Sequence, residues 1–146
     1  EVDFSAADLS SATLTNASFA NARLSHVLFR TAELSGANLA GANLTYSDLS
    51  GANMSGADLA NARLHFAIVD DVDFSGANFE NFDGFSSLIG TPRYDVNTTF
   101  LNAQVGGGGS AAFDPVAAGW TLVPVPEPGT ALLVGLGLAG LAARRR

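Results

Sequence analysis

One apolar residue returns every five positions, without a slip, from Phe4 to Phe79. The series is Phe4, Leu9, Leu14, Phe19, Leu24, Phe29, Leu34, Leu39, Leu44, Leu49, Met54, Leu59, Leu64, Val69, Phe74 and Phe79. Two residues before each centre stands a small one, most often alanine, with Val2, Val27, Ser47 and Val72 as the departures. The position between them is mostly polar, as at Asp8, Asn38, Asn43, Asp48, Asn53, Asp58 and Asn78, and glycine recurs two residues after the centre at Gly36, Gly41, Gly51, Gly56 and Gly76. An α-helix cannot use this spacing: five residues leave each centre about 140° around the cylinder from the last. Simple strand alternation fails too, because its period is two and this pattern resets every five. A short extended piece with two inward side chains, followed by a corner, satisfies it. Gly, Asn and Ser suit such a corner because they tolerate turn geometry.

Stretches such as Ala37-Asn38-Leu39-Ala40-Gly41 and Ala57-Asp58-Leu59-Ala60-Asn61 resemble the A(D/N)LXX consensus of the pentapeptide-repeat family. The resemblance covers Val2 to Asn81. It implies an all-β fold, a right-handed quadrilateral β-helix with one pentapeptide per side and twenty residues per coil, so about four coils over residues 1–81. Residues twenty apart then stack in four columns, the first being Phe4, Leu24, Leu44 and Leu64. All four columns stay apolar, and the rod would be about 19 Å long at the strand spacing of a sheet.

The five-residue register ends at Phe79. Residues 82–104, with Phe82, Phe85, Leu88, Ile89, Tyr94 and Phe100, keep apolar content without the period and are expected to form a C-terminal cap or irregular segment. Residues 105–125 read as a linker, Gly106 to Ser110, followed by a short Phe113-Asp114-Pro115 and Gly119-Trp120 segment. The chain opens on Glu1 already in register, so an N-terminal signal or cap is expected to precede it. Cysteine is absent, which excludes disulfides and thiolate metal sites. Residues 1–125 carry thirteen Asp and Glu against four Arg, a net charge of −9. That balance argues against nucleic acid as a partner.

The end of the chain has its own pattern. Pro126-Glu127-Pro128 precedes an apolar run from Ala131 to Ala143, expected to be a C-terminal apolar helix, and Arg144-Arg145-Arg146 closes the chain. Thirteen glycine-interrupted residues are short for a membrane span, which needs about 20. The arginines would stay on the cytoplasmic side. In this order, the three elements resemble the PEP-CTERM sorting signal over residues 126–146. The resemblance implies recognition by an exosortase-type enzyme in the membrane of a Gram-negative bacterium. It also implies a membrane-held intermediate, removal of the tail near Pro126, Glu127 and Pro128, and delivery to the cell surface or extracellular matrix.

No nucleophile elbow, phosphate loop or paired His-carboxylate arrangement is present, so no catalytic residue, cofactor or metal is assigned. His26 and His65 fall in different columns. Asp70, Asp71 and Asp73 lack the spacing of a calcium loop. The Asn-x-Ser/Thr triplets within the repeat, such as Asn43-Leu44-Thr45, follow from its outward polar positions. Thr15, Ser35, Ser55 and Ser75 form a hydroxyl column of the kind that binds ice or glycans on flat solenoids, though the repeat consensus alone accounts for it. The sequence therefore points to a non-enzymatic exported scaffold or interaction protein, with a surface polysaccharide or other proteins as candidate partners. The alternative is an acidic DNA mimic that binds a topoisomerase, as some acidic members of the family do.

Overall fold

Parallel backbone bridges join each short extended piece to the one twenty residues further on. The computed structural model describes residues 2–82, 88–100, 115–116 and 118–122. Face one runs Asp3, Arg23, Asn43, Arg63; face two Asp8, Leu28, Asp48, Ile68; face three Thr13, Glu33, Asn53, Asp73; face four Ser18, Asn38, Asp58, Asn78. The result is an all-β solenoid whose faces are ladders of single-residue rungs.

The backbone of one repeat shows why this pentapeptide suffices. Ala42 N–H bonds Leu39 C=O across the preceding corner (3.0 Å), and Asn43 N–H bonds Ala22 C=O in the coil below (3.0 Å). Leu44 and Tyr46 donate to Arg63 and His65 C=O in the coil above (2.7 and 2.9 Å). The fifth amide, Thr45 N–H, has no coil to reach and is taken by the Asn43 side-chain carbonyl (3.1 Å). All five donors are therefore satisfied, as a packed backbone requires. The same side-chain bond recurs from Ser50 to Asp48, Ser55 to Asn53, Ala60 to Asp58, Ser75 to Asp73 and Glu80 to Asn78. Where an Asp or Asn precedes the centre, it is thus an Asx-turn acceptor that closes the corner.

The second corner residue adopts positive φ throughout, from Ala6 and Ser11 to Gly76 and Asn81. Together with the bond from each centre's carbonyl to the amide three residues on, this is type II turn geometry. Inside, the alanines and large apolar centres fill the axis. From Leu24 onward every centre is fully buried, while Phe4 is 37% exposed and Leu9 and Leu14 are partly buried.

The ladder continues beyond Asn81, within the stretch expected as a cap or irregular segment. Ile68 bridges Ile89, Asp73 bridges Arg93 and Asn78 bridges Thr99. Two of these steps span twenty-one residues, so an inserted residue breaks the sequence period while the rungs stay paired. Strand β1 (Arg93–Tyr94) then pairs in parallel with β2 (Thr121–Leu122). Trp120, just before β2, is buried against Phe74 (ring centroids 5.7 Å apart) and Phe79 (5.8 Å), and Phe100 stacks on Phe79 (5.6 Å). These rings cover the apolar end of the stack, so Gly119-Trp120 is docked on the solenoid rather than hanging from it. The Gly106 to Ser110 linker and the expected helix from Ala131 to Ala143 lie outside the described residues. Among the described residues no helix is long and apolar enough to cross a membrane.

Three measurements probe this architecture. Ser47 occupies an alanine position, is fully buried, and its Oγ has no hydrogen-bond partner among the described residues. Ser47→Ala is expected to stabilise the protein by about 1 kcal/mol, seen as a higher urea midpoint at unchanged slope. Gly36 and Gly56 share a φ of +66° and +67°, but a methyl group at Gly36 would meet the Asn16 side chain whereas Gly56 faces open space. Gly36→Ala should therefore lose more than the roughly 1–2 kcal/mol of backbone strain expected for Gly56→Ala, and equal losses would contradict that contact. The third concerns acid. Burial raises the Asp48 carboxyl, but the Ser50 hydroxyl and amide and the Arg30 guanidinium (2.6 Å) outweigh it and hold it below the ordinary carboxylate value. Burial likewise opposes, and the Gly76 amide with Asn97 and Thr98 outweighs, at Asp95. A depressed folded value means the stabilisation is complete above the ordinary carboxylate range and disappears as pH falls through the folded value. The melting temperature should drop below about pH 4, and less steeply in Asp48→Asn.

Candidate interaction surfaces

The outward positions of the four faces do not share charge evenly. Over residues 2–81, face one carries Arg23, Arg63, His26 and His65, with Asp3 as its one carboxylate; faces two to four carry eight carboxylates and one arginine, Arg30. Asp3 lies 3.9 Å from Arg23, both more than half exposed, a contact of little energetic weight. Arg30 is held by Asp48 instead, 2.6 Å away and nearly buried. The strongly negative net charge thus conceals one basic strip.

The corner that ends face one is unlike the others. At the twelve positive-φ positions of the other three corners, ten residues are Gly, Asn or Asp, the types that adopt this conformation most readily. At the first corner the residues are Ala6, His26, Tyr46 and Phe66. Each non-glycine residue there costs about 1–2 kcal/mol. The rings offset part of this by stacking: His26 on Tyr46 at 5.1 Å and 7°, Tyr46 on Phe66 at 5.1 Å and 14°. Such pairs contribute about 0.5–1.5 kcal/mol each. The ladder is open to solvent, with Tyr46 53% and Phe66 49% exposed.

Between this ladder and the last corner runs a shallow polar trough. One part, about 380 Å³, is lined by Asn21, Arg23, Ser25, Gly41, Asn43 and Arg63. A second, about 330 Å³, shares Arg63 and adds Asn61, His65 and Asn81. The shared arginine makes the two parts continuous along the solenoid axis.

The residues weighed from sequence have other placements. His26 is the first ring of the ladder, and His65 lies on face one with its carbonyl accepting from Tyr46. Asp70 accepts from Thr91 N–H (3.3 Å), Asp73 accepts from Ser75 and lies 4.0 Å from Arg93, and Asp71 forms a corner. The carboxylates of Asp70 and Asp73 serve separate structural contacts. The hydroxyl column on face three is a loose ladder, with Ser35 and Thr15 at 3.5 Å. Pro126, Glu127, Pro128, Arg144, Arg145 and Arg146 lie outside the described residues. The aromatic ladder was legible only as an outward aromatic at every twentieth position from His26 to Phe66, a signal hidden by the stronger five-residue period.

The model for pentapeptide repeats matches residues 1–36, 22–59 and 57–81, with eight copies, and the model for the PEP-CTERM protein-sorting motif matches residues 124–146. Among solved structures, the chain is similar to a pentapeptide repeat protein of the Arabidopsis thaliana thylakoid lumen. The identity is 32% over 68% of this chain and 59% of that one, with a TM-score of 0.41. A pentapeptide repeat protein from Nostoc PCC 7120 is 30% identical over 83% of this chain and 84% of that one, with a TM-score of 0.42. QnrB1, a plasmid-mediated fluoroquinolone resistance protein, is 20% identical over 93% of this chain and 72% of that one, with a TM-score of 0.37. No curated protein matches. With its repeats matched from residue 1 to 81, the chain belongs to the pentapeptide-repeat family and carries a PEP-CTERM sorting motif behind its solenoid.

Proposed function

We propose that this chain is a non-enzymatic scaffold or interaction protein, sorted by an exosortase-type enzyme to the cell surface or extracellular matrix of a Gram-negative bacterium. The sorting motif at residues 124–146 carries this reading. In it, the repeat domain of residues 1–81 winds as a right-handed stack of about four coils and residues 82–104 close it. Residues 105–125 join it to the tail, and residues 126–146 are read and removed. Pro126-Glu127-Pro128 cannot enter a regular helix and presents extended backbone to a protease. The apolar run behind it forms a short helix that holds the chain at the membrane for that step, and Arg144 to Arg146 keep its end inside. Thirteen residues are too few for a durable span, which suits a transient stop better than an anchor.

The acidic DNA-mimic reading has less support. A duplex mimic needs negative charge along its length, and face one interrupts that charge with Arg23 and Arg63. A sorting motif also directs the chain away from a cytoplasmic topoisomerase.

Intact mass spectrometry of the protein from its native host tests the proposal. The expected product lacks the residues after the Pro126-Glu127-Pro128 segment, and deletion of the exosortase gene restores them. A full-length chain ending in Arg146, stable in the membrane fraction, would mean that the segment is an anchor.

A further inference from the structure

We infer that face one, bounded by the His26, Tyr46 and Phe66 ladder, is a binding surface for an extended acidic polysaccharide. The inference rests on the interaction-scaffold reading and names its partner. Three observations carry it. The trough is open, shallow and linear, running along the axis past Arg23, Asn43 and Arg63, a shape for a chain rather than for a compact ligand. It is lined by amides and a hydroxyl that can exchange hydrogen bonds with sugar hydroxyls, and by two guanidiniums whose planar fork matches a carboxylate. Its edge is a rail of three stacked, solvent-exposed rings, kept at a corner where Gly, Asn or Asp would fit with less strain.

Charge density decides between polymers. Arg23 and Arg63 are two coils apart, about 10 Å at the spacing of paired strands. Over residues 2–81 the other three faces carry eight carboxylates against one arginine. A nucleic acid, with a phosphate on every nucleotide, would meet two arginines and a repelling body. A polyuronate places a carboxylate on a sugar ring that advances by roughly one coil, so alternate sugars can face the two arginines while the intervening ring meets Asn43. The C–H surfaces of the sugars are then desolvated against the aromatic rail.

The test uses the full chain in mild non-ionic detergent, with mobility measured in native gels containing polygalacturonate, neutral dextran or neither. Retardation is expected in polygalacturonate and not in dextran, and it should fade as sodium chloride rises. Arg23→Ser with Arg63→Ser should weaken binding at least tenfold. Tyr46→Asn with Phe66→Asn, which retains a residue suited to positive φ, should weaken it by less, and Ser35→Ala on face three should leave it unchanged. Circular dichroism of each variant must match the parent. The inference is overturned by no retardation in polygalacturonate at low salt, by equal retardation in dextran, or by indifference to the paired arginine substitutions. Preferential displacement of the polyuronate by single-stranded DNA would also overturn it, in favour of nucleic acid. Because the assay reads binding by purified protein, its failure is separable from the result on processing in cells.

Discussion

Every coil depends on the hydrogen bond between coils. In the unit Ala42 to Tyr46, three of the five amides reach neighbouring coils, one closes a corner and the last is satisfied by the unit's own Asn43 side chain. Because that last bond is local, a unit with Asp or Asn before its centre turns its corner without leaving a donor unpaired. The apolar centres add burial, but they do not define the shape. An α-helix could also bury Leu and Ala, yet it could not pair Asn43 with both Arg23 and Arg63. The arrangement is cooperative in the manner of other solenoids, since each coil finds its backbone partners only in its neighbours.

The same economy explains what the outside of the molecule can do. The corners are stereotyped, so their residues are chosen by tolerance of positive φ unless something else intervenes. At three corners tolerance decides: Gly, Asn and Asp dominate. At the corner after face one it does not, and His26, Tyr46 and Phe66 stack there despite the strain. Face one is also where Arg23 and Arg63 lie. An electrostatic description by net charge alone, −7 for the whole chain, averages this strip away. Segregation of charge by face follows directly from the twenty-residue coil, which brings together side chains that are remote in sequence.

Past Asn81 the ladder tolerates what the sequence pattern does not. Ile89, Arg93 and Thr99 stay paired with the coil below although the spacing has lost its regularity. Backbone pairing asks only that a residue be extended at the right place, and a bulged residue can be carried between rungs. Trp120 and Phe100 then fill the end of the axis where the next Leu and Ala would have been. No local signal in the sequence marks Trp120 for that role, since nothing about a Gly-Trp pair between short apolar stretches states what it packs against.

The sequence by itself determined the repeat unit, its sixteen-fold register from Phe4 to Phe79, the inward and corner positions, and the order of elements in the tail. These are periodic or contiguous, and the physics behind them is local: inward side chains must be apolar, and corners must accept positive φ. The resemblance to a known family supplied the four-sided coil, which the five-residue period does not specify on its own. The tertiary structure decided what depends on the coil: the Asx bond behind the consensus Asp or Asn, the buried unpartnered hydroxyl of Ser47, the closure by Trp120, and the basic, aromatic-edged face one. Those features join residues about twenty or more apart. They exist only once backbone hydrogen bonds fix which side chains share a face, or, for the Asx bond, once the coil leaves an amide such as Thr45 N–H without a backbone partner.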